Sequence, residues 1–121
     1  MRGYRFQRVQ SKVIRPQLFT VSTARYAEWK AGEQNTCTVV VRNFGPADTF
    51  KIMIVDVKTY LSSGKEIRFD LGTDETKELT LTFDVPREAT SDTIVITVAR
   101  VADPEASNHA VIESMIMARR E

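Results

Sequence analysis

The sequence predicts an all-β protein, a seven-stranded antiparallel β-sandwich preceded by a basic N-terminal extension. Three observations carry that prediction. From about Gln34 onward apolar residues alternate with polar ones at a period of two, the pattern of strands that bury one face. The alternating runs are separated by short clusters of Gly, Pro, Asn, Asp and Ser, which mark turns. No long stretch spaces its apolar residues by three and four, as an amphipathic helix requires. The 121 residues, 42% hydrophobic and 27% charged, suit one domain with a loose end rather than a disordered chain. No apolar run approaches the roughly 18 residues of a spanning helix, so membrane insertion is not expected. The N-terminal region carries no signal-peptide core, so a secreted protein would be represented here by a mature chain or an excised piece.

Taken in order, residues 1–16 form a basic leader, residues 17–118 the sandwich and residues 119–121 a short tail. Gln17 to Thr23 makes the first strand after Pro16. In the second, Asn35 to Arg42, Cys37, Val39 and Val41 share one face, and Thr36, Thr38, Val40 and Arg42 the other. Asn43-Phe44-Gly45-Pro46 follows as a turn, with Asn and Gly able to accept a positive φ and Pro46 barring the ladder. Asp48 to Val57 is the third strand, with Phe50, Ile52 and Ile54 inward. After the Ser62-Ser63-Gly64 turn, Glu66 to Leu71 is a short fourth strand with Ile67, Phe69 and Leu71 on one side. Gly72 to Thr76 turns the chain into the best amphipathic strand, where Leu79, Leu81, Phe83 and Val85 alternate with polar residues until Pro86. Thr93 to Val101 is apolar on both faces, as expected of a central strand. The polar segment Asp103 to Asn108 reads as a turn, and Ala110 to Ala118 as the last strand. Tyr4, Phe6 and Val9 hint at one more strand in the leader.

Ala31-Gly32-Glu33, the Thr/Val strand that ends in Val41-Arg42-Asn43-Phe44-Gly45, and Ala47-Asp48-Thr49-Phe50 together resemble an Ig-like or fibronectin-III-like sandwich module. The pattern continues through Gly72, the Leu79 to Pro86 strand, Ser91-Asp92-Thr93, Asp103-Pro104 and Asn108. It is most similar to the Ig-like modules that follow von Willebrand factor A domains in hemicentin-related matrix proteins. The resemblance spans about Gln17 to Met117, and its motifs specify turns and strands rather than chemistry. It implies a sandwich fold and a non-catalytic accessory role in a secreted or surface protein. The paired cysteines of antibody-type domains are missing, as is a core tryptophan between them. The Thr93 to Val101 strand has no tyrosine for a tyrosine corner.

The candidate sites are few. The single cysteine, Cys37, cannot form an intrachain disulfide, and on an apolar face it reads as an inert core thiol rather than a nucleophile. His109, the one histidine, has no grouped partners for a triad or a zinc site and reads as a solvent-facing turn residue. Asp103, Glu105 and Asn108, and separately Asp74 and Glu75, are acidic turns without calcium-loop spacing, and no metal or cofactor is expected. Asn35-Thr36-Cys37 is only the rare Cys variant of a glycosylation sequon. Tyr26 and Trp29 lie together before Gly32. Met53, Val55, Val57 and Tyr60 oppose the inward Phe50 and Ile52 and form a possible partner face; a covering leader or neighbouring domain is the alternative.

Charge is uneven along the chain. Arg2, Arg5, Arg8, Lys12 and Arg15 are five of the 17 basic residues, which leaves 12 against all 16 acidic ones in the remainder. The leader suits an arm that binds a polyanion, nucleic acid included, by charge neutralisation. The irregular spacing of its charges suits equally a solvated linker or extra edge strand. With no site constellation, an enzyme is not expected. The expected function is an interaction or spacer module of a larger extracellular or cell-surface protein, binding protein or glycan. A cytoplasmic setting is compatible with the lone cysteine.

Overall fold

The computed structural model describes residues 18–117. Eight strands run in the order β1 (Phe19–Thr23), β2 (Tyr26–Lys30), β3 (Gln34–Asn43), β4 (Asp48–Asp56), β5 (Glu66–Leu71), β6 (Thr76–Asp84), β7 (Thr93–Arg100) and β8 (Asp103–Met117). They make a three-stranded sheet, β1-β3-β6, and a five-stranded sheet, β2-β8-β7-β4-β5. The sandwich is as the alternation predicts. β5 matches the expected bounds, and β7, expected to be central, lies in the middle of the larger sheet.

Two elements differ from the sequence reading. The first is β2, an eighth strand, which pairs with β8 in parallel, so the sandwich is not wholly antiparallel. Its five residues bury Trp29 and half-bury Ala27 while Tyr26, Glu28 and Lys30 face outward. The second is the segment from Asp103 to Asn108, which belongs to β8 and not to a turn. The β7–β8 turn occupies only Val101 and Ala102, and a register irregularity at Ala99/Arg100 brings Arg100 opposite Asp103. Pro104 is tolerated there because β2 pairs only with Glu113 to Met117, which leaves this stretch of β8 unpaired by the sheet on one side.

The core lies between the sheets. Phe19, Val39, Val41, Leu81 and Phe83 from the smaller sheet meet Trp29, Phe50, Ile52, Ile54, Ile94, Ile96, Val98 and Ile112 from the larger, all nearly or fully buried. Phe19 and Phe50 meet edge to face at 5.2 Å between ring centroids, and Trp29 packs on Phe83 at 4.7 Å. Such aromatic pairs add to the burial term. Trp29 is 1% exposed, so it is a core residue and not part of an exposed aromatic pair with Tyr26.

Two buried polar knots close opposite ends of β4. At its start, Arg100 pairs with Asp48 at 3.3 Å and donates to Asn43 Oδ1 at 3.1 Å and to the Pro46 carbonyl at 3.0 Å. Asn43 in turn donates to the Pro46, Leu71 and Gly72 carbonyls. The turn that sequence reading assigned to positive φ at Asn43 or Gly45 is held by this knot instead, and neither residue has positive φ. Gly45 lets the chain pass close by, since an added Cβ would lie 3.0 Å from Leu18 Cβ and 3.2 Å from the Arg100 guanidinium and would require one of them to shift. At the end of β4, Asp56 and Asp92 form the second knot, described below.

Candidate functional site

The outer face of the five-stranded sheet is built by simple register. Odd-numbered residues of β4 and β7 point away from the core, because Ile52, Ile54, Ile94, Ile96 and Val98 point into it. Val55 lies opposite Val95, and Val95 opposite Val111. An apolar stripe therefore crosses three adjacent strands. Met53 stands beside it opposite Thr97, and Met115 lies further along β8 on the same face, beyond Glu113 and next to Glu28 of β2. Met53 is 41%, Val55 63% and Val57 69% exposed, and Val95, Val111 and Met115 are also exposed. Scattered single apolar residues on a surface are ordinary, whereas a contiguous exposed row is a feature of the kind that interaction surfaces use.

Beside the stripe is a groove of about 350 Å³ whose lining includes Lys51, Met53, Arg68, Ala99, Val101 and Pro104. Lys51 faces Arg68 directly across β4 and β5, an arrangement of like charges that costs stability. Arg68 has an exposed partner in Glu66 at 3.3 Å. Lys51 is half-buried and has no ion-pair partner among the described residues.

Of the expected partner face, Met53, Val55 and Val57 stand together as read. Tyr60 does not join them. It lies past the end of β4, packs against the core, and its hydroxyl accepts the Thr90 N–H at 3.2 Å; the strand ends at Asp56 and a turn begins at Val57, so the period of two no longer reaches Tyr60. Sequence reading missed Val111 and Met115, which share one face of the last strand with Glu113 between them. Arg2, Arg5, Arg8, Lys12 and Arg15 lie outside the described residues.

The other candidates are resolved individually. Cys37 is buried in β3; burial pushes its thiol pKa up, offset in part by contact with Trp29. That contact is a weak one, and Trp29 Nε1 has no hydrogen-bond partner of regular geometry. His109 is exposed on β8 opposite Thr97 and is not in a turn. Asp103, Glu105 and Asn108 are strung along β8 rather than gathered in a loop, and Asn108 donates to the Phe19 carbonyl at 3.3 Å. Glu75 accepts the Gly72 N–H at 2.6 Å and so closes its own turn, in which Asp74 has φ 67°. Among the described residues no group of three or more His, Cys, Asp or Glu side chains could hold a metal.

The second polar knot is the main ionisable feature away from that face. Asp92, 2% exposed, accepts from the Lys58 and Thr93 amides through Oδ1 at 2.8 and 2.9 Å. Its own amide donates to Ser114 Oγ at 2.7 Å. Oδ2 has no partner when the carboxyl is ionised, and it faces Asp56, whose Oδ2 accepts the Tyr60 N–H at 2.7 Å. Burial first, and then the hydrogen bond and negative charge of Asp56, push the Asp92 pKa up from 3.8 to about 6. Protonated, the Asp92 carboxyl can donate from Oδ2 to Asp56 and satisfy both groups. The pair thereby holds the exit of β4.

Comparison with known proteins bears on this arrangement. The family model described as the VWA7 Ig-like domain matches residues 19–118. Among solved structures, the ASH/PapD-like domain 7 of human CEP192 is similar with a TM-score of 0.60 and 12% identity, over 90% of this chain and 92% of that one. A chain of the complex between zinc 2-glycoprotein and prolactin inducible protein from human seminal plasma gives 0.62 and 8%, over 83% and 94%. The CARDB domain of a Pyrococcus furiosus protein, solved in complex with di-metal ions, gives 0.58 and 18%, over 82% and 85%. At these identities the likeness is one of fold. No curated protein matches.

Proposed function

We propose, from the premise that this chain belongs to the VWA7 Ig-like domain family, that it is a non-catalytic interaction module of a larger extracellular or cell-surface protein, and that its outer five-stranded face docks a protein partner. The observation that carries the reading is the Val55–Val95–Val111 row, apolar and exposed at the centre of the sheet. Burying such a row against a partner returns roughly 25 cal/mol per Å² of apolar surface, a source of binding energy that solvent-facing polar residues do not supply. A protein surface is favoured over a glycan because the row is aliphatic. Sugar stacking needs an aromatic platform, and among the described residues Tyr26 is the one exposed aromatic on this face.

A photo-crosslinking residue at position 55 of the parent protein, with a control at Thr80 on the outer face of β6, tests the reading. A discrete protein adduct from position 55 and none from position 80 is the expected result. No adduct from either, or equal adducts from both, rejects it. The uneven charge of the chain supports a second reading, polyanion binding through Arg2, Arg5, Arg8, Lys12 and Arg15; deleting residues 1–15 then abolishes salt-sensitive heparin retention, and unchanged retention refutes it.

A further inference from the structure

We propose that the groove between Lys51 and Pro104 takes a carboxylate carried next to an apolar side chain, so that the partner presents an acidic, apolar peptide segment to this face. The proposal rests on the docking role argued for the sheet and adds the chemistry of the partner. Apart from its cations and Thr97, the groove is lined by the apolar Met53, Ala99, Val101 and Pro104. Its charged members at the β4–β5 side are both cations, Lys51 and Arg68, held opposite one another by the register.

Three properties distinguish Lys51 from an ordinary surface lysine. It is half-buried, it has no ion-pair partner among the described residues, and its nearest cross-strand neighbour repels it. Arg68 already shares Glu66, in an exposed and weak pair. Arg100 also borders the groove, but its guanidinium is turned inward and held by Asp48, Asn43 and Pro46. The ammonium of Lys51 is thus the group available to a ligand anion. A carboxylate placed between Lys51 and Arg68 relieves the like-charge contact and gains charge-assisted hydrogen bonds. An adjacent aliphatic side chain of the same segment covers Met53 and Val101, whose exposed surface is continuous through Met53 with the Val55 row. A basic or neutral segment leaves the repulsion in place.

A random peptide display library panned on the 121-residue chain tests this, with Val55→Asp, Lys51→Glu and Lys51→Arg chains as comparison targets. Lys51→Glu faces Arg68 and converts a repulsive pair to an attractive one, so the variant folds; a melting temperature no lower than that of the wild type verifies it. The expected result is enrichment of peptides that set Asp or Glu beside Leu, Ile, Val, Met or Phe. Their binding falls roughly tenfold or more on Lys51→Glu, the worth of a charge-assisted contact, and survives on Lys51→Arg. Enriched peptides that are neutral or basic yet lost on Val55→Asp overturn the acidic preference and leave the docking face standing. Peptides indifferent to both Lys51→Glu and Val55→Asp, or no enrichment at all, overturn the groove and count against the face as well.

Discussion

Replacing Asp92 by Asn tests whether the fold carries a shared proton. In the native protein the Asp92 carboxyl titrates at about 6, against 3.8 for the unperturbed group. Because the folded pKa is the higher, the folded state retains a proton that the unfolded chain releases between pH 3.8 and 6. Stability from this group is therefore complete below the unfolded pKa, declines as pH rises and is lost above about 6. At 1.36 kcal/mol per unit, the decline totals about 3 kcal/mol. An asparagine is neutral throughout. Its Oδ1 can accept the Lys58 and Thr93 amides as the aspartate does, and its Nδ2 can donate to Asp56 where the proton sat. Asp92→Asn is therefore expected to match the wild type within about 1 kcal/mol near pH 4 and to exceed it by about 2 to 3 kcal/mol at pH 8. Urea denaturation at unit steps from pH 4 to 8, followed by the fluorescence of the single, buried tryptophan Trp29, measures the difference. Titrating carboxylates elsewhere affect both proteins alike and cancel. A difference independent of pH, or a variant less stable at pH 8 than at pH 4 relative to wild type, refutes the shared proton.

Further outcomes follow from the core and the first polar knot. Phe83→Ala should cost about 3 to 5 kcal/mol through lost burial and a cavity, while Thr82→Ala, outward on the same strand, should stay within about 0.5 kcal/mol; chemical denaturation in which Thr82→Ala is the more damaging would overturn the register of β6. Arg100→Met should cost about 3 to 5 kcal/mol by leaving Asp48 buried without its counter-ion, and adding Asp48→Asn should recover part of that loss in the same assay. Cys37 should resist a disulfide reagent at pH 8 in the folded chain and react fully in urea; rapid native labelling would contradict its burial.

How much of this was legible in the sequence depended on the range of the interaction concerned. The strands from Gln34 to Val85 could be read because burial on one face imposes a period of two on neighbouring residues. β2 escaped because five residues with Glu28 and Lys30 give too short a pattern, and the first half of β8 escaped because its polar residues and Pro104 resemble a turn. Both follow from the partial parallel pairing of β2 with β8, which no local pattern specifies. The polar knots were likewise invisible. Asn43 and Arg100 meet across 57 positions, and Asp92 and Ser114 across 22; each looks locally like a turn or solvent residue. Of the candidate face, the β4 contribution was visible in Met53 and Val55, with Val57 in the turn just after them, whereas joining them to Val95 and Val111 required the strand order.

That strand order also changes what the apolar character of β7 means. A strand apolar on both faces ordinarily lies inside a sheet covered on both sides. β7 is indeed central, yet its sheet is one layer of a two-layer sandwich, and Val95 on the outer side is exposed. Core packing therefore accounts for Ile94, Ile96 and Val98 but not for Val95, and the same separation applies to Ile52 and Ile54 against Met53 and Val55. The outward charges on the edge strands, Glu66, Arg68 and Asp70 on β5 and Glu28 and Lys30 on β2, discourage edge-to-edge association while leaving the middle of the face apolar. The docking role proposed above would account for protected edges around an unprotected centre, a combination that a spacer role does not require.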